Sequence, residues 1–258
     1  MTLEAHLRAL RASGRKLLVP YVTGGLTGWQ DAIRAAAANG ADAVEVGIPF
    51  SDPVMDGPVI QQASQAALDA GATPPAILDE VARLDAGIPV AVMTYYNLVF
   101  RAGHERFARS LADAGVSGCI LPDLPLEEVG PWAGAADAAG VETILLAAPT
   151  APDERLPRIC ERARGFVYAV GLLGVTGERD RLAGTAAALA RRLKAVTDRP
   201  VLVGVGVSNA AQAAEAVQVA DGVIQGASVV RRLMEEGPDA VGAYVAEVRA
   251  ALDTAGNL

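Results

Sequence analysis

Two carboxylates, Glu45 and Asp56, are the residues of this sequence best placed to do chemistry. Glu45 lies inside the apolar run 43–48, where strand alternation puts it on the face opposite Val44 and Val46. A carboxylate on the inner face of a sheet is costly unless it is paired or protonated. No arginine lies at any predicted strand end, so an acid–base role is favoured over a buried ion pair.

Asp56 follows in the loop 49–58, which reads Pro-Phe-Ser-Asp-Pro-Val-Met-Asp-Gly-Pro. Asp-Pro and Asp-Gly are common turn formers, and taken alone this aspartate indicates only a turn. Its place in a long loop directly after the strand of Glu45 is what makes it a candidate catalytic residue.

Other common ways for an enzyme to break a carbon–carbon bond require a lysine at a strand end or a group of metal ligands, and this sequence predicts neither. A Schiff base needs a lysine at a strand end, but Lys16 precedes the first predicted strand and Lys194 lies in a helical pattern. Two isolated histidines, His6 and His104, do not make a metal site, and none is predicted. Any cleavage of a carbon–carbon bond by this chain must therefore come from carboxylates acting as acid and base.

Glycine-rich segments follow the last three predicted strands, at 174–177, 204–209 and 226–228. Glycine lets backbone N–H groups approach an anion closely, and barrel enzymes often bind phosphate in the loops after strands 7 and 8. Tight turns are the alternative for each segment alone, but the three together predict a phosphate site. The composition of the segment from 171 to about 184 is typical of a mobile lid.

Eight short apolar runs, rich in β-branched residues, must position these groups. The predicted strands are 17–23, 42–48, 90–95, 118–123, 143–148, 166–171, 201–206 and 221–226. Alanine-rich stretches of helical period lie between them, for example 29–39, 105–114 and 186–196. Gly40, Gly115 and Gly140 each end such a stretch just before a strand, as left-handed glycines do.

Strand alternating with helix eight times in 258 residues predicts an α/β fold, a (β/α)₈ TIM barrel forming a single domain over 1–258. An open doubly wound sheet is the alternative, but it usually has a Gly-rich turn after the first strand, for which Gly24-Gly25 is only a faint match. The longest gap follows the second strand, so loop 2 carries extra residues on the catalytic face.

Composition narrows the function further. A net charge of −8 without a basic patch argues against nucleic-acid binding. No stretch is apolar enough to span a bilayer, and no signal peptide pattern begins the chain, so a cytoplasmic location is predicted. Cys119 and Cys160 have neither metal-ligand nor disulfide spacing and are predicted to be reduced core thiols.

At the strand 2 and loop 2 motif the sequence resembles the tryptophan synthase α subunit family. The motif reads Glu-Val-Gly-Ile-Pro-Phe-Ser-Asp-Pro from Glu45, followed by Asp-Gly-Pro from Asp56. Further matches fall in the family's order along nearly the whole chain, at 95–97, 122–125, Tyr168, 174–177 and 204–208.

The resemblance implies cleavage of indole-3-glycerol phosphate to indole and glyceraldehyde 3-phosphate, without a cofactor. Glu45 would protonate the indole C3 position and handle the glycerol hydroxyl proton, while Asp56 would accept the indole N–H bond. Thr176 on the lid would reach Asp56. The other implied substrate-binding residues are Tyr21, Met93, Ile120 and Tyr168 around the indole, with Gly177, Gly204, Gly206, Gly226 and Ala227 towards the phosphate.

The sequence departs from the family's usual pattern near the phosphate. Gly171 and Ala227 stand where the family often has serine, and Ser228 comes one position later. A hydroxyl ligand is thereby lost, and backbone amides are left to bind the phosphate. Gly24-Gly25-Leu26 also replaces a more usual Gly-x-Pro turn.

The resemblance also implies a partner, the tryptophan synthase β subunit, in an αββα complex where pyridoxal phosphate belongs to the β subunit alone. Contact is expected through loop 2, at 53–56, and near Asn97. Two alternatives stay open: a freestanding lyase that releases indole, and a catalytically weak partner that activates the β subunit. Both catalytic carboxylates are present, which counts against the second.

Overall fold

A computed structural model describes residues 2–171, 184–204 and 206–256. Eight parallel strands close into a barrel in sequence order, with β8 paired to β1. Helices connect the strands and surround the barrel, so the predicted (β/α)₈ architecture is confirmed. An open doubly wound sheet is excluded, because such a sheet has two unpaired edges and this one has none.

All eight predicted strands are present. They are β1 Leu17–Thr23, β2 Val44–Gly47, β3 Val90–Met93, β4 Gly118–Ile120, β5 Glu142–Ala147, β6 Val167–Val170, β7 Val201–Gly204 and β8 Gly222–Gln225. The first agrees with its predicted bounds, while the others begin or end up to three residues differently. Most of the residues that were predicted as strand but lie outside the observed strands are at the carboxyl ends of the strands. There the chain leaves the sheet and lines the barrel mouth.

Twelve helices lie in the described ranges. They are α1 Leu3–Ala12, α2 Trp29–Ala38, α3 Pro58–Asp69, α4 Pro74–Ala82, α5 Tyr96–Ala102, α6 His104–Asp113, α7 Gly130–Ala139, α8 Arg155–Arg162, α9 Gly184–Lys194, α10 Ala210–Ala216, α11 Ala227–Glu236 and α12 Pro238–Gly256. Loop 2 carries both α3 and α4, as its length predicted. Gly40, Gly115 and Gly140 all have positive φ, at 100°, 75° and 76°. No helix in these ranges is both long enough and apolar enough to cross a membrane.

Alternation along the strands divides the core into two parts. Val44, Val46 and Val92 pack outward against the helices. Val19, Ala43, Ala91, Ile120, Ile144, Leu202 and Ile224 fill the barrel interior. Leu3 and Leu7 of α1 join this interior cluster, so the first helix closes the amino end of the barrel. No helix closes the carboxyl end in the same way, and a cavity opens there in the described residues.

Two buried aspartates tie the amino end together. Asp42 accepts a hydrogen bond from the Leu18 N–H at 2.8 Å and pairs with Arg15 and Arg249. Asp221 does the same for β7 and β8.

Asp221 accepts a hydrogen bond from the Val201 N–H at 2.8 Å and pairs with Arg11 and Lys194. Each carboxylate precedes one strand and binds the backbone of its neighbour, which fixes the register between them. The ion pairs of this end are therefore structural and lie away from the open mouth.

Candidate active site

A cavity of about 780 Å³ opens at the carboxyl end of the barrel. Its floor is the upper part of the barrel interior, and its walls are the loops that follow the strands. Most of the residues predicted to bind substrate line it: Tyr21, Glu45, Asp56, Met93, Tyr168, Gly206, Gly226 and Ala227. The structure thus brings together residues that lie far apart in the sequence.

Glu45 is fully buried on β2, with 0% of its surface exposed. It points into the barrel, as strand alternation predicted, between Tyr21 of β1 and Ala91 of β3. Neither carboxylate oxygen has a hydrogen-bond partner among the described residues. Burial without a partner raises the pKa of the Glu45 carboxyl to about 8, so the group is largely protonated at neutral pH. A protonated carboxyl that lines a cavity can act as a general acid.

Asp56 lies half-buried in loop 2 and faces the same cavity. Burial raises the pKa of its carboxyl to about 6, and a hydrogen bond from the Tyr95 hydroxyl opposes that shift. Tyr95 also accepts a bond of 2.9 Å from the Met55 N–H, and its ring stacks on Phe50 at 5.1 Å between centroids. Loop 2 is therefore held to the end of β3, and Asp56 is mainly ionised at neutral pH.

Two tyrosines lie near Glu45, and each packs over a glycine of the neighbouring strand. Tyr21 on β1 leans over Gly47 on β2, and Tyr168 on β6 leans over Gly204 on β7. In both cases the glycine lies two positions beyond the tyrosine's own partner in the neighbouring strand. A Cβ atom at either glycine would collide with the phenol. Burial raises the pKa of both phenols, so they stay neutral walls beside the carboxylate.

The loops after β7 and β8 form a further part of the cavity wall. Gly206 has a φ of 96° in the loop after β7, and Gly226 precedes α11, whose first residues are Ala227 and Ser228. The first N–H groups of a helix have no intrahelical partner and carry the positive end of its dipole. This arrangement suits an anionic group and agrees with the predicted phosphate position.

Four of the predicted site residues are not among the described residues that line the cavity. Ile120 is fully buried in the barrel interior and does not line the cavity. Gly204 also lies outside the lining, where it makes room for Tyr168. Thr176 and Gly177 lie outside the described residues. Ligand contact by these four stays a prediction.

Sequence reasoning missed several residues of this site. Tyr95 donates a hydrogen bond to Asp56, and Ser208 and Ser228 line the part of the cavity where a phosphate is predicted. A usable signal was present for Tyr95, because it lies at a predicted strand end. Ser228 was noted only as a shifted serine, and nothing in its local sequence indicated its partners.

The described ranges contain two cysteines and no group of metal ligands. Cys119 and Cys160 are both buried free thiols, which confirms that interpretation. Burial raises the pKa of Cys119, as expected for an unreactive core thiol. In these ranges no three His, Cys, Asp or Glu side chains gather into a group able to hold a metal ion.

A closed barrel with a carboxylate-bearing cavity at its carboxyl end defines a (β/α)₈-barrel enzyme. Comparison with known proteins gives the family. The family described as tryptophan synthase alpha chain matches residues 7–254. The chain therefore belongs to the tryptophan synthase alpha chain family, as its loop 2 motif indicated.

Individual relatives agree with this assignment. The tryptophan synthase alpha chain of Thermobifida fusca is 49% identical over 240 residues, covering 90% of this chain and 89% of the relative. That of Streptomyces coelicolor is 48% identical over 245 residues, covering 93% and 90%.

Solved structures give the same answer. A structure of Mycobacterium tuberculosis tryptophan synthase superimposes with a TM-score of 0.90 at 41% identity, covering 97% of each chain. The alpha chain from Legionella pneumophila has a TM-score of 0.89 at 32% identity and covers 100% of both chains.

Proposed function

We propose that this chain cleaves indole-3-glycerol phosphate to indole and glyceraldehyde 3-phosphate. In this proposal Glu45 transfers the protons, and Asp56 binds the indole N–H and stabilises the positive charge on the ring. The observation that carries the proposal is the buried, unpartnered Glu45 carboxyl in the cavity, whose pKa of about 8 keeps it protonated. This is a lyase reaction of tryptophan biosynthesis and needs no cofactor in this chain.

The proposed reaction begins with proton transfer. Glu45 delivers its proton to C3 of the indole ring, and the ring becomes a cationic indolenine. The ionised Asp56 carboxylate accepts the hydrogen bond from the ring N–H and stabilises this positive charge.

Bond cleavage then restores Glu45. Its carboxylate removes the proton from the hydroxyl next to the ring, the carbon–carbon bond breaks, and its electron pair returns to the indole. The aldehyde forms on the glycerol fragment. One proton has left Glu45 and one has returned, so the residue ends the cycle as it began.

The walls of the cavity support the same orientation of substrate. Tyr21, Met93 and Tyr168 provide a largely apolar lining around Glu45, which suits a flat aromatic ring. The amides at Gly206, Gly226 and Ala227 lie on the side that suits the phosphate. The glycerol part of the substrate would then extend from the indole pocket to the phosphate site and pass Glu45 and Asp56.

A β-subunit partner belongs to the same proposal, with pyridoxal phosphate expected only in that partner. Large apolar side chains are exposed on loop 2 and α5, where Val54 is 74% and Phe100 is 66% exposed. Exposed apolar surface beside a cavity mouth is typical of a protein–protein contact. Val54 lies within the partner surface predicted at 53–56, and Phe100 lies on the same helix as Asn97. A cytoplasmic location stays a prediction from the sequence.

Steady-state cleavage of indole-3-glycerol phosphate, with and without a cognate β subunit, tests the proposal. We expect cleavage in both cases and a 5–150-fold change on complex formation, which is a coupling of about 1–3 kcal/mol. Cleavage at a rate indifferent to the β subunit would favour the freestanding lyase. Activation of the β subunit without cleavage would favour the catalytically weak partner.

A further inference from the structure

A buried polar cluster lies behind the loops that carry Gly206 and Gly226. Its centre is the hydroxyl of Tyr244 on α12. The Gln225 Nε2 of β8 donates to that hydroxyl at 2.9 Å. The Ser208 carbonyl oxygen lies 3.0 Å from it and the Ser228 Oγ 3.1 Å from it.

The protons of this cluster can be assigned. A carbonyl oxygen only accepts, so Tyr244 donates its single proton to the Ser208 carbonyl. Its lone pairs then accept one bond from the Gln225 amide and one from the Ser228 hydroxyl. The hydroxyl is fully used, and the proton of Ser228 is committed to it. Backbone amides are therefore left to bind the phosphate, as the loss of serine at Ala227 also implies.

The cluster joins three segments. Gln225 ends β8, Ser228 lies in the first turn of α11, and Ser208 lies in the loop after β7. Gly226 and Ala227 lie between the first two, and Gly206 is two residues before Ser208. One hydroxyl thus links both sides of the proposed phosphate site.

Burial makes these links hard to break. Gln225, Ser228 and Tyr244 are all buried, so a partner that loses its bond cannot replace it freely with water. The Arg232 guanidinium stacks on the Tyr244 ring at 3.9 Å from its centroid and donates to the Ser228 carbonyl at 2.9 Å. The ring and the first turn of α11 are therefore held on two sides.

We propose that Tyr244 is a positioning residue that sets the spacing between the two phosphate-binding loops, and thereby the affinity for a phosphorylated substrate. The inference rests on the proposed function, because it takes Gly206, Gly226 and Ala227 as the phosphate-binding amides. Tyr244 does not itself line the cavity and acts through the backbone on either side.

The test is the full-length Tyr244→Phe variant, which loses only the hydroxyl. Its KM for indole-3-glycerol phosphate is expected to rise about 3- to 10-fold, because all three hydrogen bonds of that hydroxyl are lost and the spacing of the two loops is no longer fixed. The kcat should stay within about twofold of the unmodified chain, because Glu45 and Asp56 are untouched. Inhibition by inorganic phosphate should weaken by the same factor as KM, and binding of indole should not change.

Tyr96→Phe is the matched control. It also removes a phenol hydroxyl with a hydrogen bond, 3.0 Å from His104 Nε2, but on α5 and away from these loops. It should leave phosphate inhibition unchanged. Ser228→Ala removes one arm of the cluster and serves if Tyr244→Phe does not fold. It should weaken phosphate inhibition in the same direction, and the two changes combined should cost less than their sum.

The outcomes separate the two proposals. If phosphate inhibits the unmodified chain and both variants bind it equally well, the role of Tyr244 is overturned while the phosphate site stands. A fall in kcat with unchanged KM would also overturn it. If phosphate and glycerol phosphate do not bind the unmodified chain, the phosphate site and the inference fall together.

Discussion

The phenol of Tyr21 lies over the backbone of Gly47, in the space that a Cβ atom of that residue would occupy. The two residues lie on adjacent strands, and Gly47 is two positions beyond Glu45. The absence of one side chain therefore lets an aromatic ring lie beside the Glu45 carboxyl. The identity of Gly47 is tied to that ring and to the shape of the cavity.

Gly47→Ala is expected to displace Tyr21 and to lower kcat/KM for indole-3-glycerol phosphate by about 10- to 100-fold, because misplaced groups near the chemistry have large effects. Overpacking should also cost about 1–3 kcal/mol of unfolding free energy. Gly134→Ala in α7 is the control, since a Cβ there meets nothing within 4 Å. In a Tyr21→Ala background Gly47→Ala should add little, and an equal effect in both backgrounds would contradict the steric account.

Glu45→Gln should abolish cleavage while the protein still binds glycerol phosphate. Loss of an acid–base group costs ~10²–10⁴-fold in kcat, and here one group serves two transfers. Glu142→Gln is the control, because that carboxylate lies at the amino end of β5 and accepts a bond from the Glu4 N–H at 2.9 Å. A Glu45→Gln protein that retains more than about a tenth of kcat would place the chemistry on another residue.

The same substitution should stabilise the fold. The pKa of Glu45 is about 8 when folded and 4.5 in its ordinary range, so between these values the folded state holds a proton that the unfolded state releases. Stability is therefore lost as pH rises from about 4.5 to 8. Removing the carboxyl should raise the unfolding free energy at pH 8 by a few kcal/mol, on the order that linkage gives. Denaturant unfolding at pH 5 and pH 8 measures it, and an equal effect at both pH values would contradict the burial argument.

The pH dependence of kcat/KM should be bell-shaped. Activity should fall above a pH of about 8, where Glu45 loses the proton it must deliver, and below about 6, where Asp56 becomes protonated. Asp56→Asn should lower activity, and the activity that remains should no longer fall at low pH. An acidic limb that persists in this variant would assign the lower pKa to another group.

Val54→Asp should weaken association with the β subunit, because it places a charge in the exposed apolar surface beside the mouth. Val196→Asp is a matched control: Val196 is also exposed, at 43%, but it follows α9 near the amino end of the barrel. A drop of at least tenfold in affinity is expected for Val54→Asp alone, about 1.4 kcal/mol. Equal effects from both variants, measured by calorimetric titration, would place the contact elsewhere.

The sequence predicted the fold well because its signals are local. The run 17–23 is apolar except for Thr23 and is bounded by charged and glycine-rich segments, so β1 has its predicted limits. Period-two alternation was enough to point Glu45 into the barrel. The carboxyl ends of the other strands were less well predicted, because apolar residues continue past the last sheet hydrogen bond to line the cavity.

Contacts between distant residues could not be predicted in this way. Tyr244 is 19 residues from Gln225 and 36 from Ser208, and no spacing rule joins them. The crossing of Tyr168 over Gly204 likewise depends on strand register, which the sequence does not state. Ile120, which the family resemblance places at the indole pocket, is buried in the barrel interior, and its contact with a ligand stays a prediction.

The two aspartate clusters at the amino end have a consequence for how this protein can change over evolutionary time. Asp42 and Asp221 fix strand register from one end of the barrel, while the groups proposed to contact substrate line the cavity at the other end. Substitutions around the mouth can then alter the reaction without loosening the scaffold. Descendants of this gene could acquire new substrates by substitutions in the loops at the carboxyl end of the barrel. The ion pairs of Asp42 and Asp221 at the amino end would tolerate few replacements.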